Sequence, residues 1–293
     1  MRNIFKKLRF ATLLLIHLLL IAGYSTVFAV EENANITPQL VCHFIDVGQG
    51  DCILIQLPNN ETMLIDAGRA SNGESIIQYI ASLNIETIDY FVATHPHGDH
   101  VGGFPQVISM FNIGEIYMPD VPCATTTCKR FVDTANRKNI IINNAMVDIV
   151  ILDTDTMSVK FIGPIETNYS NMNNNSAVTK ITYKGVSFLF TGDACVASEQ
   201  DMIQKKDIDL SANVLKIGHH GGISSTSNEF LVTVNPSYAV ISCGIGINNY
   251  PHQTVINRLN SRNIVTYRTD LQGTIVATSN GVTIEFTITG KSE

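Results

Sequence analysis

The sequence predicts an α/β fold in which two β-sheets pack face to face and helices cover both outer surfaces. Three observations predict it. Apolar, β-branched runs of strand length recur from Leu40 to Thr287. Segments with helical spacing of apolar residues lie between those runs rather than in a block of their own. The mixed succession of strands and helices occurs twice along the chain, as two sheets with separate helical covers require.

The elements follow in order. Leu40 to Val47 and Cys52 to Leu57 are separated by Gly48-Gln49-Gly50, which reads as two antiparallel strands with a tight connection. Thr62 to Asp66 is a third strand after the turn at Pro58-Asn59-Asn60. A helix is expected over Ser75 to Leu83, and then a short buried strand, Ile88 to Thr94, leads straight into a histidine run. Val101 to Phe111 reads as helix, Ile113 to Met118 as strand and Lys129 to Arg137 as helix. The second succession has strands near Ser158 to Ile162, Ala177 to Tyr183 and Val186 to Thr191, a helix near Ser198 to Lys205, and a strand at Ala212 to Ile217. A helix near Asn228 to Val234, a strand at Tyr238 to Ser242, a helix at His252 to Ser261 and a strand at Ile264 to Tyr267 come next. Thr274 to Thr278 and Val282 to Thr287 form a closing pair. Asn168 to Asn175 is expected as a loop, because Asn side chains compete for backbone hydrogen bonds and tolerate unusual dihedrals.

Ahead of these elements, Arg2, Lys6, Lys7 and Arg9 precede an apolar run from Ala11 to Ala22 and small residues ending at Ala29. That is the layout of a secretory signal peptide cleaved after Ala29. The run falls short of the ~20 residues that a spanning helix needs. The expectation is therefore a secreted or cell-surface protein with no stable membrane span in the mature chain, anchored only if the segment is retained. Residues 30–293 are expected to form one domain, with no linker or repeat inside it. Of the 19 Lys and Arg, the four basic residues named above leave with the segment, so 15 face 26 Asp and Glu, a formal charge of −11. This balance excludes a protein that coats nucleic acid non-specifically through Lys and Arg, though not a nuclease whose metals supply local positive charge. Export makes the six cysteines disulfide candidates, and Cys123 and Cys128 bracket a loop short enough to be stapled. Cys42, Cys52, Cys195 and Cys243 lie in apolar runs and read as small buried hydrophobes.

The chemistry concentrates in Thr94-His-Pro-His-Gly-Asp-His100, where a strand ends and a helix begins. Alternate side chains of an extended segment share a face, so His95 and His97 point together at one metal ion. The turn at Gly98 aims Asp99 and His100 at a second. Imidazole and carboxylate without cysteine suit Zn²⁺, with Mn²⁺ or Fe²⁺ as alternatives. Asp193, in F-T-G-D-A, follows an apolar strand and is either a turn acid or a ligand. His219-His220-Gly221-Gly222 also lies just past an apolar strand, where glycines let backbone approach an ion or substrate. Asp46 and Asp66 are acids at strand ends beside glycine, either turn formers or acceptors for the free ring N–H of ligating histidines. His252 opens a helix. His43 alternates with core residues and reads as structural.

These motifs together resemble the metallo-β-lactamase superfamily, whose signature His-x-His-x-Asp-His is matched by His95 to His100. F-I-D-V-G-Q-G-D at Phe44 to Asp51, N-N-N-S at Asn173 to Ser176, L-F-T-G-D at Leu189 to Asp193 and K-I-G-H-H-G at Lys216 to Gly221 resemble one branch, the extracytoplasmic hydrolase domain of ComEC-type competence proteins. The resemblance implies an αββα sandwich with two divalent metal ions in a cleft at one edge. It implies His95 and His97 as ligands of the first ion, Asp99 and His100 of the second, and Asp193 as a bridge. The last ligand is His219 or His220, with His219 favoured because it is nearer the strand end. Many members place another histidine where this chain has Asn173 to Ser176, which leaves the first ion short of a ligand; Asn175 and Ser176 are expected at the substrate instead.

The function implied is hydrolysis of a phosphodiester by a hydroxide shared between two metals. Asp99 takes part in catalysis, and His220 or His252 contacts phosphate or protonates the leaving group. DNA is the substrate that the ComEC branch implies. A smaller phosphodiester, such as a phosphorylcholine ester on a cell-wall polymer, suits the acidic surface. A non-catalytic exported module that uses its metals to shape a binding cleft is the alternative from another class. The sequence is silent on oligomeric state.

Overall fold

The first sheet holds eight strands and the second seven, and each combines an antiparallel meander with a parallel run. In chain order they are β1 Leu40–Phe44, β2 Ile53–Gln56, β3 Thr62–Ile65, β4 Thr87–Val92, β5 Asn112–Met118, β6 Ile142–Asn144, β7 Val150–Asp153, β8 Met157–Gly163, β9 Val178–Tyr183, β10 Val186–Phe190, β11 Val214–Lys216, β12 Tyr238–Ile241, β13 Val265–Arg268, β14 Ile275–Ser279 and β15 Ile284–Ile288. These assignments come from a computed structural model that describes residues 38–246 and 249–290; the expected signal segment lies outside the described residues. Across the first sheet the order is β15-β14-β1-β2-β3-β4-β5-β6, and across the second β13-β12-β11-β10-β9-β8-β7.

The period-2 alternation of the strands explains the layering. In β1 to β3, Leu40, Cys42, Phe44, Ile53, Ile55, Met63 and Ile65 point into a core shared with Phe161, Ile181, Phe188, Phe190, Val214 and Val240 of the second sheet. Leu54 and Leu64, from the alternate positions, join a second cluster with Ile76, Ile80, Phe104, Val107 and Phe131 of the helices Gly73–Ser82, Phe104–Met110 and Thr126–Arg137. Leu189, Leu215, Ala239 and Ile241 do the same on the far side, against Met202, Phe230, Leu231, Val255 and Leu259 of the helices Val196–Gln204, Asn228–Val234 and Gln253–Ser261. Three apolar seams separate four layers, the expected αββα sandwich.

The structure corrects several expectations. The helix expected over Val101 to Phe111 is broken into Gly98–Val101 and Phe104–Met110. Gly102 and Gly103 lie so close to other backbone that a Cβ on either would sit 2.4 Å from Gly98 O or 2.2 Å from Ala67 O, so the chain turns where apolar spacing alone suggests continuity. The expected Asn-rich loop contains a 3-10 turn, Met172–Asn175. The sheets are not the two halves of the chain: β14 leaves the second half and pairs antiparallel with β1. Cys123 and Cys128 are joined as a disulfide, while Cys42, Cys52, Cys195 and Cys243 are free and buried. No helix among the described residues is long and apolar enough to cross a membrane.

The parallel strands β3 and β4 of one sheet and β10, β11 and β12 of the other end at the same edge of the sandwich. The carboxyl ends of such strands are where α/β sheets present ligands with backbone and side chains, and Asp66, the run His95 to His100, Asp193 and the pair His219-His220 follow four of them.

Candidate metal centre

Six segments supply the site. β4 runs into Thr94, His95 and His97, and the helix Gly98–Val101 carries Asp99 and His100. β3 ends at Asp66, the β1–β2 connection ends at Asp51, β10 delivers Asp193, and β11 leads into His219 and His220. Both of these last residues have left-handed backbone, φ 48° and 54°. Non-glycine residues in that region carry on the order of 1–3 kcal/mol of strain each, tolerated where geometry at a site demands it. Here the strained turn brings both imidazoles to the Asp193 carboxylate, His219 at Oδ2 and His220 at Oδ1.

Asp193 is the hub. Its Oδ2 lies 3.3 Å from His100 Nε2, 3.7 Å from His95 Nε2 and 4.0 Å from His219 Nε2, and its Oδ1 lies 3.5 Å from His220 Nε2. His220 Nε2 is also 3.7 Å from Asp99 Oδ2. His95 Nε2 and His97 Nδ1 face each other at 3.0 Å. The tautomers follow from the opposite ring atoms. His100 Nδ1 donates to Asp66 Oδ2 at 2.7 Å, and His220 Nδ1 donates to the Ser242 carbonyl at 3.0 Å, so both present a bare Nε2 to Asp193. His95 Nδ1 donates to Thr94 Oγ1 at 3.1 Å, because that hydroxyl is itself spent on Asp66 at 2.6 Å.

The electrostatics favour bound cations. Burial drives His95 well below the ordinary histidine range, and the neighbouring His100 adds to the effect. Burial acts the same way on His100 and His220, but Asp193, with Asp66 for the former and Asp51 for the latter, overturns it and raises both. Burial would raise Asp193; the imidazoles of His220 and His100 outweigh it and hold the carboxyl well below its usual range. His100 Nε2, His220 Nε2 and Asp193 Oδ1 are buried without a hydrogen-bond partner. Buried polar atoms rarely stay unpaired, and three turned toward one another mark where an ion belongs. Ligand atoms of His95, His100 and Asp193 lie within 4.8 Å of one another, as do those of Asp99, His100 and His220. Nitrogen and carboxylate donors at that spacing fit divalent transition metals.

Comparison with known proteins gives the arrangement its relatives. A family model described as the metallo-β-lactamase superfamily matches residues 45–245, more than half of the chain and all of the clustered residues. The chain belongs to the metallo-β-lactamase superfamily. Among curated metallo-β-lactamase relatives, it is 28% identical over 250 residues to ComE operon protein 3 of Bacillus subtilis, an alignment covering 79% of this chain and 32% of that protein. It is 30% identical over 235 residues to competence protein ComA of Neisseria gonorrhoeae, covering 78% and 31%. The chain thus spans about a third of the length of these competence relatives. Among solved structures, CmlA, a diiron β-hydroxylase from Streptomyces venezuelae, superimposes with TM-score 0.55 at 12% identity over 81% of this chain and 53% of that one, a likeness of fold alone.

Within this metallo-β-lactamase edge, some residues stand where the sequence suggests and others do not. His95, His97, Asp99, His100 and Asp193 come together, and Asp66 stands behind His100. Of the two candidates for the last ligand, His220 lies deeper than His219. His220 is 1% exposed and inside the cluster, whereas His219 keeps 21% of its side chain exposed and stands beside Asn173 Nδ2 at 3.2 Å and the Tyr250 hydroxyl at 3.4 Å. The left-handed turn, rather than nearness to the strand end, sets which of the two is buried. Asp46 Oδ1 accepts the Gly48 N–H at 3.0 Å, the work of a turn acid; the acid beside His220 Nδ1 is Asp51, at 3.4 Å. Asn175 and Ser176 are buried rather than open to a substrate. Asn175 ties down its own loop through the Tyr169 carbonyl, and Ser176 Oγ accepts the Asp193 N–H at 3.1 Å and lies 3.4 Å from His95 Nδ1. His252 Nδ1 accepts the Thr254 N–H at 3.2 Å, so the residue caps the helix Gln253–Ser261. Asp51, Lys216 and Tyr250 escaped the sequence reading. A lysine inside the apolar run Val214-Leu-Lys-Ile was the signal that an acid must lie buried opposite it.

Proposed function

We propose that the chain is an exported hydrolase of phosphodiester bonds that works with two divalent ions, zinc by preference and manganese as substitute. The observation that carries this reading is the trio of buried, unpartnered atoms, His100 Nε2, His220 Nε2 and Asp193 Oδ1, set beside His95 and Asp99. On this reading His95, His97 and Asp193 hold one ion, and Asp99, His100, His220 and the shared Asp193 hold the other. Bound together, such ions supply an acidified water at neutral pH and polarise a phosphoryl oxygen.

The side chains around them do the rest. Asp66 and the Ser242 carbonyl fix the tautomers that leave Nε2 free. His219, with Tyr250 beside it, stands on the more open side, within reach of a leaving oxygen that needs a proton. Arg69 Nη2 lies 3.8 Å from Asp99 Oδ2 with 54% of its side chain exposed, so it offers a guanidinium at the rim that suits phosphate. Similarity to competence proteins supports DNA as the substrate. The formal charge of −11 on residues 30–293 supports instead a small phosphodiester such as a phosphorylcholine ester.

The test is metal analysis together with turnover of bis(p-nitrophenyl) phosphate, single-stranded DNA, a phosphorylcholine ester and a cephalosporin. Phosphodiester turnover that requires Zn²⁺ or Mn²⁺ is expected. Fewer metal ions than chains, with no turnover after either metal is added, overturns the reading. A cephalosporin as sole substrate overturns its phosphodiester part.

A further inference from the structure

Behind the ligand histidines lies an ion pair that nothing in the reaction above uses. Lys216 Nζ is 2.5 Å from Asp51 Oδ2, and both residues are 1% exposed. Lys216 belongs to β11, where its neighbours Val214 and Leu215 pack into apolar cores, and its Nζ also reaches the Gly192 carbonyl at 3.4 Å. Burying such a pair costs desolvation that its mutual attraction repays only in part, and apolar residues of similar volume commonly serve stability as well or better. The pair therefore calls for an explanation other than holding the fold together.

Apart from Lys216, the Asp51 carboxylate faces two histidines of the metal centre. Asp51 Oδ1 has no full hydrogen bond of its own and lies 3.4 Å from His220 Nδ1, while Oδ2 lies 4.0 Å from His100 Nδ1. The Asp51 N–H donates to the Asp99 carbonyl at 3.2 Å. Gly50, at φ +144°, keeps the connection pressed to that same carbonyl, where a Cβ would sit 2.4 Å away. One residue thus borders Asp99 at its backbone and His100 and His220 at their rings, three residues that, besides Asp193, hold the second ion in the reading above. The touch on each imidazole is at Nδ1, the atom that fixes how Nε2 points.

We propose that Asp51, paired with Lys216, is a positioning residue for the second metal ion, acting through His220, His100 and the Asp99 backbone. This rests on the two-ion reading and deepens it. Lys216 completes the device as a cation tethered to the chain, so that the acid's charge is met without being withdrawn from the histidines.

The double variant Asp51→Asn/Lys216→Met tests it, because it removes both charges while keeping side-chain volume. Zn²⁺ affinity is read by competition with a chromophoric chelator, and the melting temperature of the metal-free chain is read alongside. In the unaltered chain two Zn²⁺ ions are expected. In the double variant one ion should weaken by about 10–100-fold, the usual cost of removing a partner of a ligating histidine, and the other should keep its affinity. A folded double variant that binds both ions as the unaltered chain does, whatever its melting temperature, overturns the proposal and leaves the two-ion reading standing. An unaltered chain that binds no pair of ions removes that reading, and this one with it.

Discussion

The two sides of the candidate centre are supported differently. His100 and His220 are buried, and carboxylates stand behind them: Asp66 at 2.7 Å from His100, Asp51 at 3.4 Å from His220, with Lys216 behind Asp51. His95 is backed only by hydroxyls, Thr94 at 3.1 Å and Ser176 at 3.4 Å, and His97 is partly exposed where a helix begins. A carboxylate makes an imidazole a stronger donor and pins its ring more firmly than a neutral hydroxyl does. The comparison teaches that two ions held on these two sides should differ in affinity, the one on the Asp99–His100–His220 side being the tighter. Ser176, which closes the Asn-rich loop, stands on the side expected to be weaker.

The largest effect should come from removing what the sides share. Asp193→Ala is expected to lower phosphodiester turnover by at least about a thousandfold, the scale for a group on which a whole site depends, and to release both ions. Retention of either ion in elemental analysis would break the idea of a common carboxylate. Next comes His219→Ala, which should reduce kcat by roughly a hundredfold, as loss of a general acid does, with metal content unchanged. His220→Ala should instead lose metal, and a reversal of these two results would return His219 to the ligand set. Asp66→Asn should weaken the tighter ion by about tenfold or more, whereas Ser176→Ala should weaken the looser ion by less than about tenfold. Equal losses in a chelator titration would erase the asymmetry.

The smallest effect serves as a control remote from both sides. Burial raises the Asp209 carboxyl, but Lys180, 2.7 Å from Oδ2, and Ser211 hold it down at about 2. Its folded value lies below the ordinary ~3.9. Its contribution is therefore complete above about pH 4 and is lost as pH falls towards 2. The carboxylate is 68% exposed, so Asp209→Asn should cost under about 1 kcal/mol at neutral pH. It should flatten this part of the acid-unfolding profile and leave both metal affinities unchanged.

Much of this was legible in the sequence. The fold class was readable because alternating strands such as Cys42 and Phe44 against Leu54 and Leu64 declare two-sided burial. β6 and β7 were missed because they are three- and four-residue strands with half-exposed patterns and no apolar run to mark them. At the site, ligand type and spacing identified His95 to His100 within a few residues. Direction was not legible. Which of His219 and His220 lies deeper depends on two left-handed residues in a row, and the place of Asp51, which the sequence reading passed over, depends on how the Gly48-Gln-Gly50 connection folds back onto Asp99. Long-range packing settles both, and local pattern carries no trace of it.

The pairing of β14 with β1 reaches beyond the site. Leu40 meets Ser279 across the sheet, so β1 keeps one edge bare during synthesis until β14 has been made. Contacts between such distant segments form late and slow the closing of a sheet. Nascent forms halted before Thr274 would therefore display an open strand edge to chaperones and proteases alike.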